Sequence, residues 1–185
     1  MLKRSAVLLL PLALASCAPF MMAPNASTVD GLFLQANTGS NQFEIQTSQL
    51  ALSKSNTEGV RAYAQRMIDE HTTAQNQVNT LAAARGVPLP TALPPELQIK
   101  VNTLSTLSGA AFDTAYLNEQ VVGHQATLSV ILNEQTAGRD AAVVALAAQL
   151  QPIVADHLRQ AQALGGTAPQ AAPAPAPATP APTTP

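Results

Sequence analysis

The sequence predicts an all-α protein: four long helices packed up-down-up-down into one bundle, with a short extra helix between the second and the third. Three observations carry that expectation. Hydrophobic residues make up 46% of the chain, yet aromatics account for only 3% and Trp is absent. An Ala-rich, aromatic-poor chain suits close helix packing, because Ala has the highest helix propensity whereas β-branched and aromatic residues favour strands. Four long segments repeat their apolar positions in steps of three and four, the period of a helix with one buried face. Glycines and prolines punctuate these segments and leave short connections, which join antiparallel neighbours.

In chain order the first element is a leader. "MLKRSAVLLLPLALASC" opens with Lys3 and Arg4, continues through an apolar run from Ala6 to Ala15, and ends in small residues before Cys17. The run is shorter than the roughly 20 apolar residues of a membrane span and fits a signal peptide over residues 1–16. Leu14-Ala15-Ser16-Cys17 resembles the bacterial lipobox. That resemblance implies a lipid on Cys17, which becomes the mature N-terminus and holds the protein to a membrane. The next residue is Ala18, not Asp, which by analogy implies an outer-membrane lipoprotein facing the periplasm of a Gram-negative cell. The alternative is a plainly secreted periplasmic protein cut nearby. Cys17 is the only cysteine, so no internal disulfide can form. Residues 17–28 read as a tether, and residues 29–164 as one domain large enough for one hydrophobic core.

Within that domain the first helix is expected from about Asp30 to Ser53. Phe33, Ala36, Ser40, Phe43, Thr47, Leu50 and Ala51 share one side, and Glu44 lies on or beside that stripe. Gly39 weakens the helix by about 1 kcal/mol relative to Ala and admits a close neighbour. The second helix begins near Asn56-Thr57-Glu58, where Asn56 or Thr57 supplies a cap, and stops at Gly86. Its stripe is Val60, Ala64, Met67, His71, Ala74, Val78, Leu81 and Arg85, the spacing of a bundle seam. A Pro-rich loop, "VPLPTALPP", leads to a short helix over about Glu96–Leu107. Ser108 caps the third long helix, with Leu117, Val121, His124, Leu128 and Ile131 on its seam and Gly138 as its end. The fourth, about Arg139–Leu164, places Val143, Leu146, Leu150, Ile153, His157, Ala161 and Leu164 on one face, with Pro152 interrupting it, where a kink is expected. Residues 165–185, "GGTAPQAAPAPAPATPAPTTP", carry too much proline for helix or sheet and read as a disordered, polyproline-like tail. Net charge is −2, and the sequence offers none of the clustered Lys and Arg that nucleic-acid binding requires.

All three histidines therefore sit on seams. In an up-down-up-down bundle rising 1.5 Å per residue, Glu44 and His71 stand about 21 Å, and His124 about 22 Å, above the end where the second helix finishes; His157 comes out at about 10–14 Å. Glu44, His71 and His124 are expected to share a layer, with His157 one or two turns away.

Four blocks, "ANTGSNQFEIQTSQLALSKS", "VRAYAQRMIDEH", "FDTAYLNEQVVGH" and "PIVADHLRQAQAL", resemble in order the bacterial family called domain of unknown function 4142, over about Asp30 to Leu164. Its members are exported proteins often labelled outer-membrane proteins. The resemblance implies a ferritin-like four-helix bundle and no established biochemical role. Matching positions here are Glu44, Met67, Asp69, His71, Phe112, Asp113, Tyr116, His124, Pro152 and His157.

The ferritin-like resemblance raises a di-iron centre, which uses Glu-x-x-His pairs on two helices. The sequence lacks them: Glu70 and Asp156 directly precede His71 and His157, and adjacent helical residues diverge by about 100°. Two readings stay open for the histidines. In the leading one they form a neutral buried polar layer, satisfied by each other or by Glu44, Asp69, Asp113 and Tyr116. In the alternative, Glu44, His71, His124 and His157 hold one zinc or iron ion. Asp113 is expected to reach amides at the start of its own helix, and Tyr116 to bury its ring with its hydroxyl on a polar partner. No nucleophile with a base, P-loop or dinucleotide turn is present. The expected function is accordingly a lipid-anchored cell-envelope bundle that binds or supports a partner in the envelope rather than catalysing a reaction; the alternative is a periplasmic metal-binding, stress-related protein.

Overall fold

Thr28 starts the first helix. Its hydroxyl accepts from the Gly31 amide, and α1 then runs Val29–Lys54. The structure, a computed structural model, describes residues 25–168. The leader, Cys17, most of the tether and nearly all of the Pro-rich tail lie outside the described residues. Four further helices follow: α2 (Glu58–Arg85), α3 (Pro95–Ser105), α4 (Gly109–Ala137) and α5 (Ala141–Ala163). Among the described residues there is no strand. Each expected helix is present with its ends shifted by one or two residues. Gly86 closes α2 in the left-handed conformation, φ 65°, which glycine adopts without steric cost. α5 continues through Pro152. At Gly39 a Cβ would stand 3.6 Å from the Pro94 ring, an ordinary contact, so the approach of the loop before α3 does not itself require glycine there.

Two caps differ from expectation. Thr57 occupies the N-cap of α2, but its hydroxyl donates to Asp113 Oδ2 at 2.6 Å. Asp113 therefore ties α4 to α2 instead of capping its own helix. Ser108 precedes α4 without a side-chain cap bond, whereas Asp140 caps α5 by accepting from the Ala142 and Val143 amides.

The core consists of two apolar clusters at opposite ends of the bundle. One joins Phe33 and Leu34 of α1, Val78 and Ala82 of α2, Ile131 of α4, and Val143 and Leu146 of α5. The other joins Ala51, Val60, Met67, Leu104, Phe112, Leu117 and Ala161. Each cluster pairs the start of α1 and α5 with the end of α2 and α4, or the reverse. The long helices thus run up, down, down, up, correcting the alternating order expected from short loops. The cause is α3: it carries the chain back along the bundle, so α4 starts at the end where α2 starts. Polar pairs agree with this, since Arg85 at the end of α2 meets Asp140 at the start of α5 at 2.6 Å. Asp30 at the start of α1 accepts from the amides of Arg139 and Asp140. α5 is, among the described residues, the one helix long and apolar enough to cross a bilayer, and its buried face serves the bundle core.

Candidate metal centre

The reversed direction of α5 moves His157. Measured from the end where α2 finishes and α5 begins, His71 stands about 21 Å up, His124 about 20 Å, and His157 about 24 Å. The three rings meet. Ring centroids lie 5.6 Å apart for His71–His124, 5.2 Å for His71–His157 and 5.2 Å for His124–His157. One ring nitrogen from each falls within 4.8 Å of the other two, and all three side chains are buried.

Each ring has one nitrogen occupied and one open. His71 Nδ1 meets Asn41 Oδ1 at 2.9 Å, while Asn41 Nδ2 donates to Gln75, which fixes the Asn41 oxygen as the acceptor. His124 Nδ1 lies 2.6 Å from the Gln120 carbonyl oxygen, one turn back on the same helix. His157 Nε2 faces Glu70 Oε2 at 2.7 Å. All three acceptors require the histidine nitrogen to be N–H. The lone pairs are therefore on His71 Nε2, His124 Nε2 and His157 Nδ1, and these buried atoms have no partner among the described residues. Orienting an imidazole through its second nitrogen is how metal-binding histidines are held.

Electrostatics keep the rings neutral. Burial, reinforced by His124 and His157, holds His71 well below the ordinary histidine value. Burial pushes His124 down to about 4 against its bond to the Gln120 carbonyl. Burial also lowers His157, although Glu70 opposes that shift. Glu70 is subject to desolvation, yet hydrogen bonds from Arg66 and His157 hold it below the usual carboxylate value. Arg66 in turn spans Glu70 and Asp156, at 2.7 and 2.6 Å. Neutral imidazoles are the form that ligates a metal.

Glu44 is not part of this group. It is buried, as its stripe position implied, but its carboxylate accepts from Gln120 Nε2. It lines a separate cavity of about 190 Å³ between α1, α3 and α4. Burial pushes Glu44 up to about 8, so it is protonated at neutral pH. A Cβ at Gly123 would stand 2.7 Å from Glu44 Oε1, so glycine there leaves the carboxyl its room. The side chains expected to satisfy a purely structural histidine layer are also engaged elsewhere: Asp69 with Gln65, Asp113 with Thr57, and the Tyr116 hydroxyl with Ser48 at 2.8 Å. The sequence reading missed Asn41, Gln120 and Glu70. Only Gln120 had a local signal, its position four residues before His124 on one helix face.

A cavity of about 330 Å³ has His71 and His157 on its wall. Three converging imidazoles, two of them on the wall of such a space, suit a transition-metal ion. Bound 2.0–2.1 Å from each nitrogen in tetrahedral array, zinc would set the nitrogens about 3.3 Å apart, so the rings would close inward by up to about 1.5 Å.

Solved structures with the same fold include a fragment of a DUF305 protein from Deinococcus radiodurans (21% identity, 77% of this chain and 99% of that one, TM-score 0.68). A DUF305 protein from Streptomyces coelicolor is also similar, at 14% identity over 78% of this chain and 99% of that one, TM-score 0.65. These likenesses concern the fold alone. No curated protein matches the chain. The model of the family described as a domain of unknown function, DUF4142, matches residues 15–164, and the chain belongs to that family.

Proposed function

We propose that this protein is an exported, lipid-anchored bundle whose interior binds one divalent transition-metal ion on His71, His124 and His157. One observation carries the reading: three buried imidazole lone pairs converge and none has a protein partner among the described residues. Leaving a buried polar atom unsatisfied costs about 1–3 kcal/mol. Three such atoms side by side are an expensive way to fix helix register and an economical way to prepare a metal site. Ferritin-like bundles also contain one long crossover, which supports a metal in the core, though this chain lacks paired Glu-x-x-His motifs. The donor set favours zinc over iron(II), because the two-histidine, one-carboxylate iron triad would need Glu44.

Elemental analysis of the exported full-length protein tests this. One zinc per chain, lost in a His71→Ala, His124→Ala double variant that keeps its helical circular dichroism, supports the reading. No bound metal and no thermal shift with zinc would leave a buried polar layer in a protein that acts through envelope partners. The anchor is tested separately: Cys17→Ser should abolish labelling by a radioactive fatty acid.

A further inference from the structure

The donor count has a consequence for what the site does. Among the described residues, no fourth His, Cys, Asp or Glu joins His71, His124 and His157 within the same reach. The neighbouring acids are spent: Glu70 faces His157 Nε2, the nitrogen on the far side of that ring from its lone pair, and Glu44 faces Gln120. Zinc sites with four protein ligands are structural, whereas those with three keep a position for water or substrate.

The space beside the rings is suited to an exchangeable ligand. His71 and His157 share their cavity with the Arg66–Glu70 ion pair, the polar side chains of Asn41 and Gln149 and the apolar wall of Ile153. Its volume of about 330 Å³ exceeds several times the roughly 30 Å³ share of one water. Gln149 is exposed and Gln77 half-buried, so the cavity reaches solvent between α2 and α5.

Charge selects the ligand. A divalent ion on three neutral imidazoles keeps its full charge in a buried site, and an uncompensated buried charge is costly. The Glu70 and Asp156 carboxylates already share Arg66. An anion entering the cavity supplies the missing negative charge directly at the metal. Hydroxide would serve at neutral pH, since zinc in such a site would lower the pKa of a bound water to about 7.

Resting on the metal reading, we infer that the ion keeps an exchangeable coordination position facing the cavity between α2 and α5, and that this position takes a small anion. The centre is thus a ligand-exchanging site rather than a structural staple.

The test uses the full chain loaded with cobalt(II), whose visible spectrum reports its coordination, and titrated with sodium azide. The expected result is a saturable spectral change with one azide per cobalt. An Ile153→Phe variant, which fills the cavity from α5, should keep its cobalt and lose the azide response; an unchanged response would overturn the placement. A chain that binds one cobalt whose spectrum azide leaves untouched overturns this inference alone. A chain that takes up no cobalt overturns the metal reading, and this inference with it.

Discussion

Two buried polar groupings lie side by side in this bundle and are built in opposite ways. Around Glu44, the carboxylate leans on Gln120, Gln120 also reaches Thr47, and the Tyr63 hydroxyl donates to Gln120 Oε1. Around His71, the outward nitrogens are equally well held, but the inward ones have no partner among the described residues. Both groupings are neutral at pH 7, one by keeping a proton and the other by refusing one. A neutral group tied to its neighbours holds helices in register. A neutral group left with its lone pair free is available to a ligand. The two meet at Gln120, whose side chain serves the first and whose carbonyl orients His124 for the second.

The largest effect that would break this contrast is on metal-linked stability. Free zinc at about 100 times its dissociation constant should stabilise the fold by about 2.7 kcal/mol, a rise in Tm of roughly 10 °C for a domain of this size. Differential scanning calorimetry with and without chelator checks it. The His71→Ala, His124→Ala variant should show no zinc-dependent rise, whereas Glu44→Gln should retain it in full. A Glu44→Gln variant that loses zinc would place the carboxylate back among the ligands.

Next in size is the outer partner of His157. Glu70 raises the basicity of that imidazole and fixes its tautomer, and losing such a partner typically weakens metal affinity by about 10–100-fold. Glu70→Gln keeps an acceptor and removes the charge, so the low end of that range, about tenfold, is expected by zinc-competition titration. The Tm of the metal-free protein should move little, because Glu70 is substantially exposed.

How far these features were legible in the sequence follows from what a helical pattern encodes. Seam periodicity places His71, His124 and His157 on buried faces, because each side chain's facing depends only on its own helix. It says nothing about helix direction across a loop. α3 holds only 11 residues, yet by returning the chain along the bundle it reverses α4 and α5. His124, near the middle of its helix, keeps its height under that reversal, while His157 rises by about 10 Å into the ring cluster. Height and burial alone make Glu44 a candidate ligand; the sequence does not show that its carboxyl pairs with the Gln120 side chain. Glu70 is the least legible of all, being next to His71 in the chain and bonded to His157 in space.

The pH dependence of the metal-free protein sharpens the contrast further. Histidines whose folded pKa is depressed contribute stability that is present above about 6.5, their unfolded value, and is lost as pH falls through the folded values, about 4 for His124. Glu44 and Glu134 have the opposite sign. Burial pushes both up to about 8, with Asp30 adding to the shift of Glu134, so their contribution is complete below about 4.5 and is lost as pH rises through about 8. Three groups gaining and two losing between these unfolded values place the maximum near pH 6.5. Thermal melts from pH 4 to 9 should trace that dome. Glu44→Gln, which cannot ionise, should flatten the alkaline limb and leave the acid limb intact; an unaltered alkaline limb would mean that Glu44 does not carry its proton in the folded state.

The smallest effect concerns the polar groups that have partners. Tyr116 is fully buried, stacks on Phe112 with centroids 5.7 Å apart, and shares a 2.8 Å hydrogen bond with Ser48. Tyr116→Phe keeps the ring and its stack on Phe112 and removes only the hydroxyl, leaving the buried Ser48 hydroxyl without that partner. The cost should be about 1 kcal/mol, or slightly more because one group is stranded. Pairing it with Ser48→Ala recovers part of that loss, since removing both halves of a buried hydrogen bond is cheaper than removing one. Urea denaturation of the four proteins in that cycle measures the coupling. A coupling near zero would mean that this pair is no better satisfied than the histidines. The free lone pairs of the histidine cluster would then no longer be what sets the two groupings apart.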